Sequence, residues 1–173
     1  MGLKDKLMDR KTTTKFLGDL LISEKFQGLG KYWASEVSLD YGTTHVRRVD
    51  FMQFCPVNQV DISGIEKGMF VCYEVKSCKA DFNSGFGQNF VGEKNYFVMP
   101  VALFKELEKQ LPHGVGVLCP VPIGFDKKAE FDNPTPLDAN IYKWELATMK
   151  KAFQVGRKRS MNELLFCMLR AGH

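Results

Sequence analysis

A chain of 173 residues is long enough for one domain with its own core, without disulfides or a structural metal. With 45% hydrophobic and 25% charged residues it is no disordered chain, and no apolar run reaches the length of a membrane span. The net charge of +4 and pI of about 8.7 lean mildly toward a polyanionic partner.

The first residues, MGLKDKLMDRK, are charged and lack the apolar core of a signal peptide, so a cytoplasmic protein is expected. Residues 12–26 read as a helix. Phe16, Leu17, Leu20 and Leu21 recur on one face, Thr12 to Thr14 offer an N-cap, and Gly28 and Gly30 end it. Glu24 projects from the apolar stripe, so it is either at a site or at a fraying end. Residues 35–41 alternate as a half-buried strand, with Val37, Leu39 and Tyr41 opposite Glu36, Ser38 and Asp40. Residues 46–54 (VRRVDFMQF) and 69–76 (MFVCYEVK) form two more strands, and short connections predict an antiparallel meander.

Helix and strand then alternate. Residues 79–90 are a weak helix or loop weakened by Gly85 and Gly87, and 95–99 are a short buried strand. Residues 100–111 are a helix between Pro100 and Pro112, and 114–119 another buried strand. Residues 120–136 hold four prolines and read as irregular, and helices are expected over 139–153 and 160–171. The order is α-β-β-β-α-β-α-β-α-α, an α/β single domain over 1–173 with its core over about 12–119 and a C-terminal helical extension over about 137–173.

The five cysteines (Cys55, Cys72, Cys78, Cys119, Cys167) show no metal-ligand spacing, and Cys72 and Cys119 sit in apolar runs, so they read as structural. Neither His45 nor His113 lies beside a nucleophile motif. The segment from Gly85 to Gly92 lacks the Lys-Ser/Thr of a phosphate-binding loop.

Chemistry concentrates on two strands. Glu74 and Lys76 lie two apart and share a face, while Val71, Tyr73 and Val75 point into the core. Asp50 sits mid-strand between Val49 and Phe51, where a carboxylate is costly without a cation or a metal. Antiparallel pairing would bring Asp50 near Glu74, and a divalent cation would relieve their repulsion. That set suits metal-assisted phosphodiester hydrolysis, with Lys76 orienting water or stabilising charge on phosphorus. The plainer readings are an exposed Glu74–Lys76 ion pair and an Asp50 paired with Arg47 or Arg48. Asp-x-Lys also occurs at Asp9 and Asp126, away from strands.

The stretches SEVSLDYGTTHVRRVDFM, FVCYEVKSCKADF, EKNYFVMP and GVGVLC, in this order, resemble the PD-(D/E)XK or restriction-endonuclease-like superfamily, most nearly the small MmcB-like proteins associated with DNA repair. The resemblance implies an α-β-β-β-α-β core with a mixed central sheet flanked by helices. It implies Asp50 and Glu74 as ligands of Mg²⁺ (or Mn²⁺), Lys76 as the catalytic lysine, and an upstream glutamate. Glu36 is the better match for that glutamate by sequence and Glu24 by helix position. Arg47, Arg48 and Lys79 flank the site and read either as contacts to DNA phosphates or as solvated surface charge. The expected function is a Mg²⁺-dependent nuclease in a DNA repair, phage or defence context. The alternatives are a non-catalytic nucleic-acid-binding module on the same scaffold and an interaction protein in which Glu-x-Lys is coincidental. DNA is the expected partner, no membrane is expected, and a homodimer is compatible with all three.

Overall fold

The computed structural model describes residues 8–172. Helix α1 (Arg10–Leu21) runs on into a π-helical turn over Ile22–Phe26. Its N-cap is Asp9, whose carboxylate accepts the Thr12 N–H at 2.8 Å, so the threonines expected to cap it lie inside the helix. The predicted apolar face holds: Phe16, Leu17, Leu20 and Leu21 are all buried.

Strands β1 (Tyr32–Leu39), β2 (Arg47–Cys55) and β3 (Met69–Val75) form the expected antiparallel meander. Val37 and Leu39 are buried as their alternation predicts. Tyr41 is exposed because the chain turns at Asp40, which has a left-handed φ of 55°. A short helix α2 (Ile62–Glu66), capped by Asp61, lies in the connection before β3. Two parallel steps follow: α3 (Lys79–Asn83) leads to β4 (Lys94–Val98), and α4 (Val101–Leu107) to β5 (Gly116–Pro122).

Two expectations fail beyond β5. The proline-rich stretch contains a short helix, α5 (Lys127–Asp132), and the helix expected over 139–153 is strand β6 (Trp144–Lys150), antiparallel to β5. The cause is burial on both faces. Trp144 and Leu146 pack on the α1 side, Ala147 and Met149 on the α4 side, so the apolar positions no longer alternate. A register shift opposite Val117 and Leu118 blurs the strand period further. Helix α6 (Met161–Ala171) closes the chain as predicted.

The result is an α/β domain with a six-stranded mixed sheet in the order β1-β2-β3-β4-β5-β6. Helix α1 covers one face. On the other, α6 packs over β1 to β3 through Leu164, Cys167 and Met168, and α4 packs over β4 to β6 through Leu103, Phe104 and Leu107. Among the described residues no helix is long and apolar enough to cross a membrane.

Candidate active site

The site forms where the sheet splits. Strand β2 pairs with β3 from Cys55↔Met69 only as far as Phe51↔Tyr73, whereas its first residues continue to pair with β1. Past that point β3 is held by β4 alone. The next β2 residue is Asp50, and its Oδ2 accepts the Val75 N–H at 2.9 Å, a side chain standing where a ladder carbonyl would be.

Glu74 leads into this fork. It is completely buried, and its carboxylate oxygens meet no hydrogen-bond donor side chain among the described residues, only the facing Asp50. Burial pushes its pKa up to about 10, the neighbouring Asp50 charge pushes the same way, and Lys76 opposes. The exposed ion pair considered from sequence is excluded: β3 is a central strand, and Lys76 is only 3% exposed. The Asp50 pair with Arg47 or Arg48 is not seen either, since Arg48 binds Glu36 at 2.6 Å and Arg47 approaches Asp40 at 3.9 Å.

The gap between β2 and β3 is filled by loop 84–89. Lys76 Nζ donates to the Phe86 carbonyl at 2.6 Å, and the Asn89 side chain donates to the Arg48 carbonyl at 3.0 Å, so the loop is tied to both strands. Gly87 makes the closest approach. Its φ is +73°, and a Cβ there would lie 2.5 Å from Glu74 Oε2 and 3.6 Å from Lys76 Nζ. Gln88 turns back to the Phe82 carbonyl.

Above the fork lies a cleft of about 900 Å³ that Asp50, Glu74 and Lys76 all line. Of the other expected residues, Arg47, Arg48 and Glu36 line it as well. Glu36 falls between the pairs Ser35↔Phe51 and Val37↔Val49, hence across from Asp50, and a left-handed φ of 55° takes it out of the ladder. Glu24 lies on the π turn, exposed and away from the cleft, and Lys79 pairs with Glu106 of α4 at 2.7 Å in a neighbouring groove. Two carboxylates that the sequence reading passed over, Asp19 of α1 and Asp81 of α3, do reach the cleft. The signal for Asp19 was present. Lys15 and Asp19 stand four apart beside Thr14 and Gly18, marking a polar or small face next to the apolar one.

As donors, Asp50 and Glu74 offer hard oxygens of the kind Mg²⁺ or Mn²⁺ takes, and a cation would satisfy the two oxygens of Glu74. Among the described residues, no group of three or more His, Cys, Asp or Glu side chains gathers for a metal ion.

No family model matches this chain, and no curated protein does. A solved protein of unknown function from Silicibacter pomeroyi is similar to it over 96% of this chain and 84% of its own, at 16% identity and a TM-score of 0.49. That likeness is too loose to bear on the site.

Proposed function

We propose that the chain is a Mg²⁺- or Mn²⁺-dependent nuclease of the restriction-endonuclease-like superfamily, nearest the MmcB-like DNA repair proteins, acting on DNA in repair, phage or defence. The observation that carries this reading is Glu74, a wholly buried carboxylate that faces a second carboxylate, Asp50, with no donor side chain on its oxygens among the described residues, set beside Lys76 at a fork in the sheet. The helix, meander, helix, strand order running from α1 through β4 supports it.

Asp50 and Glu74 would hold the cation, which when bound polarises a phosphodiester and lowers the pKa of a water. The Val75 N–H fixes the Asp50 carboxylate and leaves Oδ1 for that role. Lys76 places a buried ammonium where charge develops on the phosphate, and its low exposure makes that charge count for more than it would in water. Arg47 and Arg48 on the rim position the DNA backbone without reading sequence.

The test offers linear, circular and branched DNA with Mg²⁺ or Mn²⁺ to the wild type, Asp50→Ala and Lys76→Ala. Each substitution is expected to cost roughly 10²-fold or more in cleavage. Cleavage that persists in both variants sinks the assignment. A second reading, a non-catalytic DNA-binding module, is favoured by one observation: Lys76 is already engaged by the Phe86 carbonyl. It predicts salt-sensitive DNA binding with no cleavage on any substrate.

A further inference from the structure

We infer that Phe86 is a stacking platform for an unpaired base, which makes single-stranded or locally unpaired DNA the substrate class of this cleft; the inference rests on the nuclease reading above. Phe86 lies on loop 84–89 at the cleft, and the residue is 81% exposed. The loop does not simply hang in solvent. Gly85 and Gly87, both at left-handed φ, bracket Phe86, its N–H reaches the Ser84 hydroxyl, and its carbonyl receives Lys76. One residue therefore presents a large apolar ring to water and holds the buried lysine.

That coupling has a chemical sense. Glu74 and Lys76 are 0% and 3% exposed, so the reacting phosphate must descend below the rim on which Phe86 stands. A base within a duplex has both faces stacked and offers none to the ring, whereas an unpaired base offers a π-face whatever its identity. Cations at the same cleft, Arg10, Lys15, Arg47 and Arg48, are each paired with a carboxylate (Asp81, Asp19, Asp40 and Glu36), and exchanging those partners for phosphates would supply the backbone-tracking charge that accompanies aromatic platforms in single-strand binders. A strand stacked on Phe86 would have its adjoining phosphate delivered to Lys76.

The test compares wild type, Phe86→Ala and Phe86→Trp for binding to a single-stranded oligonucleotide carrying 2-aminopurine and to the matching duplex, in Ca²⁺ to hold back cleavage. The wild type is expected to prefer the single strand and to quench the probe on binding. Phe86→Ala is expected to bind the single strand roughly tenfold more weakly, with the quench gone and the duplex unaffected. Phe86→Trp is expected to restore both. Equal affinity of wild type and Phe86→Ala for the single strand, equal loss on both forms, or no wild-type preference for the single strand overturns the inference. Failure of the nuclease reading shows separately, as no Mn²⁺ binding heat in the wild type or an unchanged heat in Asp50→Ala.

Discussion

Glu74 is the residue on which the site turns, and its protonation gives a direct test. Its carboxyl has a pKa of about 10 in the fold against an ordinary 4.5, so the folded chain holds that proton more tightly than the unfolded one. The resulting stability is fully present below pH 4.5 and is lost as pH rises through about 10. With a chelator present, Glu74→Gln is therefore expected to melt near the wild type at pH 5 and above it at pH 9, the gap widening with pH. A gap independent of pH would contradict a protonated, buried Glu74. Cation binding must displace that proton, so Mn²⁺ is expected to raise the wild-type midpoint more at pH 8 than at pH 6, and not to raise that of Glu74→Gln. Gly87 allows a second test at this scale. Gly85→Ala and Gly87→Ala both place a side chain at left-handed φ, for a cost of about 1–3 kcal/mol. Only the Cβ at 87 collides with Glu74, while that at 85 meets nothing within 4 Å. Urea melts should show the larger loss in Gly87→Ala, and the Mn²⁺ response should survive only in Gly85→Ala.

Among the elements, the meander and the short, largely apolar central strands were readable, and the edge strand β6, with its mixed composition, was not. Helix α1 and the β1–β3 meander declared themselves by period, and the Glu-x-Lys on β3 could be placed on one strand face from spacing alone. Strand β6 was hidden because Trp144 and Leu146 serve one core cluster and Ala147 and Met149 another. The fork at Asp50 was out of reach for a different reason. Where β2 leaves β3 depends on a side-chain bond from Asp50 to the Val75 N–H, a contact 25 residues apart that no local pattern encodes. The upstream glutamate shows the same limit: Glu24 and Glu36 could not be separated by sequence, and strand register is what brings Glu36 to the cleft. Helix α6 could have been called more firmly. Ser160 accepts the Glu163 N–H at 3.2 Å, and Ser-x-x-Glu is a helix-start signature. Ser160→Ala is expected to cost about 1 kcal/mol, measured as a lower urea midpoint with an unchanged slope. A loss within error would mean that α6 is held by its docking alone.

For the molecule as a whole, the segment after β6 does disproportionate work. Leaving the β6 edge, residues 151–160 run back across the sheet, with Phe153 N–H on the Gly114 carbonyl and Val155 N–H on the Glu93 carbonyl. The Arg157 guanidinium lies over the Phe70 ring, and Arg159 grips Asp40 with two bonds of 2.9 Å. Helix α6 then covers Val37, Leu39, Val49 and Met52 at the opposite edge. A chain ending at Lys150 should keep β-rich circular dichroism but lose its cooperative melt and bind a hydrophobic dye, because among the described residues α6 is what covers that face. A cooperative, dye-free melt would mean the strap is dispensable.

The strand order has a consequence for how this chain is made. Because sheet position follows chain position from β1 to β6, each strand can dock on its predecessor as it leaves the ribosome. The exceptions are α1, whose Phe16 meets Trp144 of β6, and α6, the last of these elements out, whose partners on β1 and β2 are among the first. Until α6 has been made, then, the apolar face of the oldest strands stands open, waiting for a helix not yet synthesised. Any nascent-chain chaperone that serves this protein should be held longest at the β1–β2 hairpin and released only after α6 emerges.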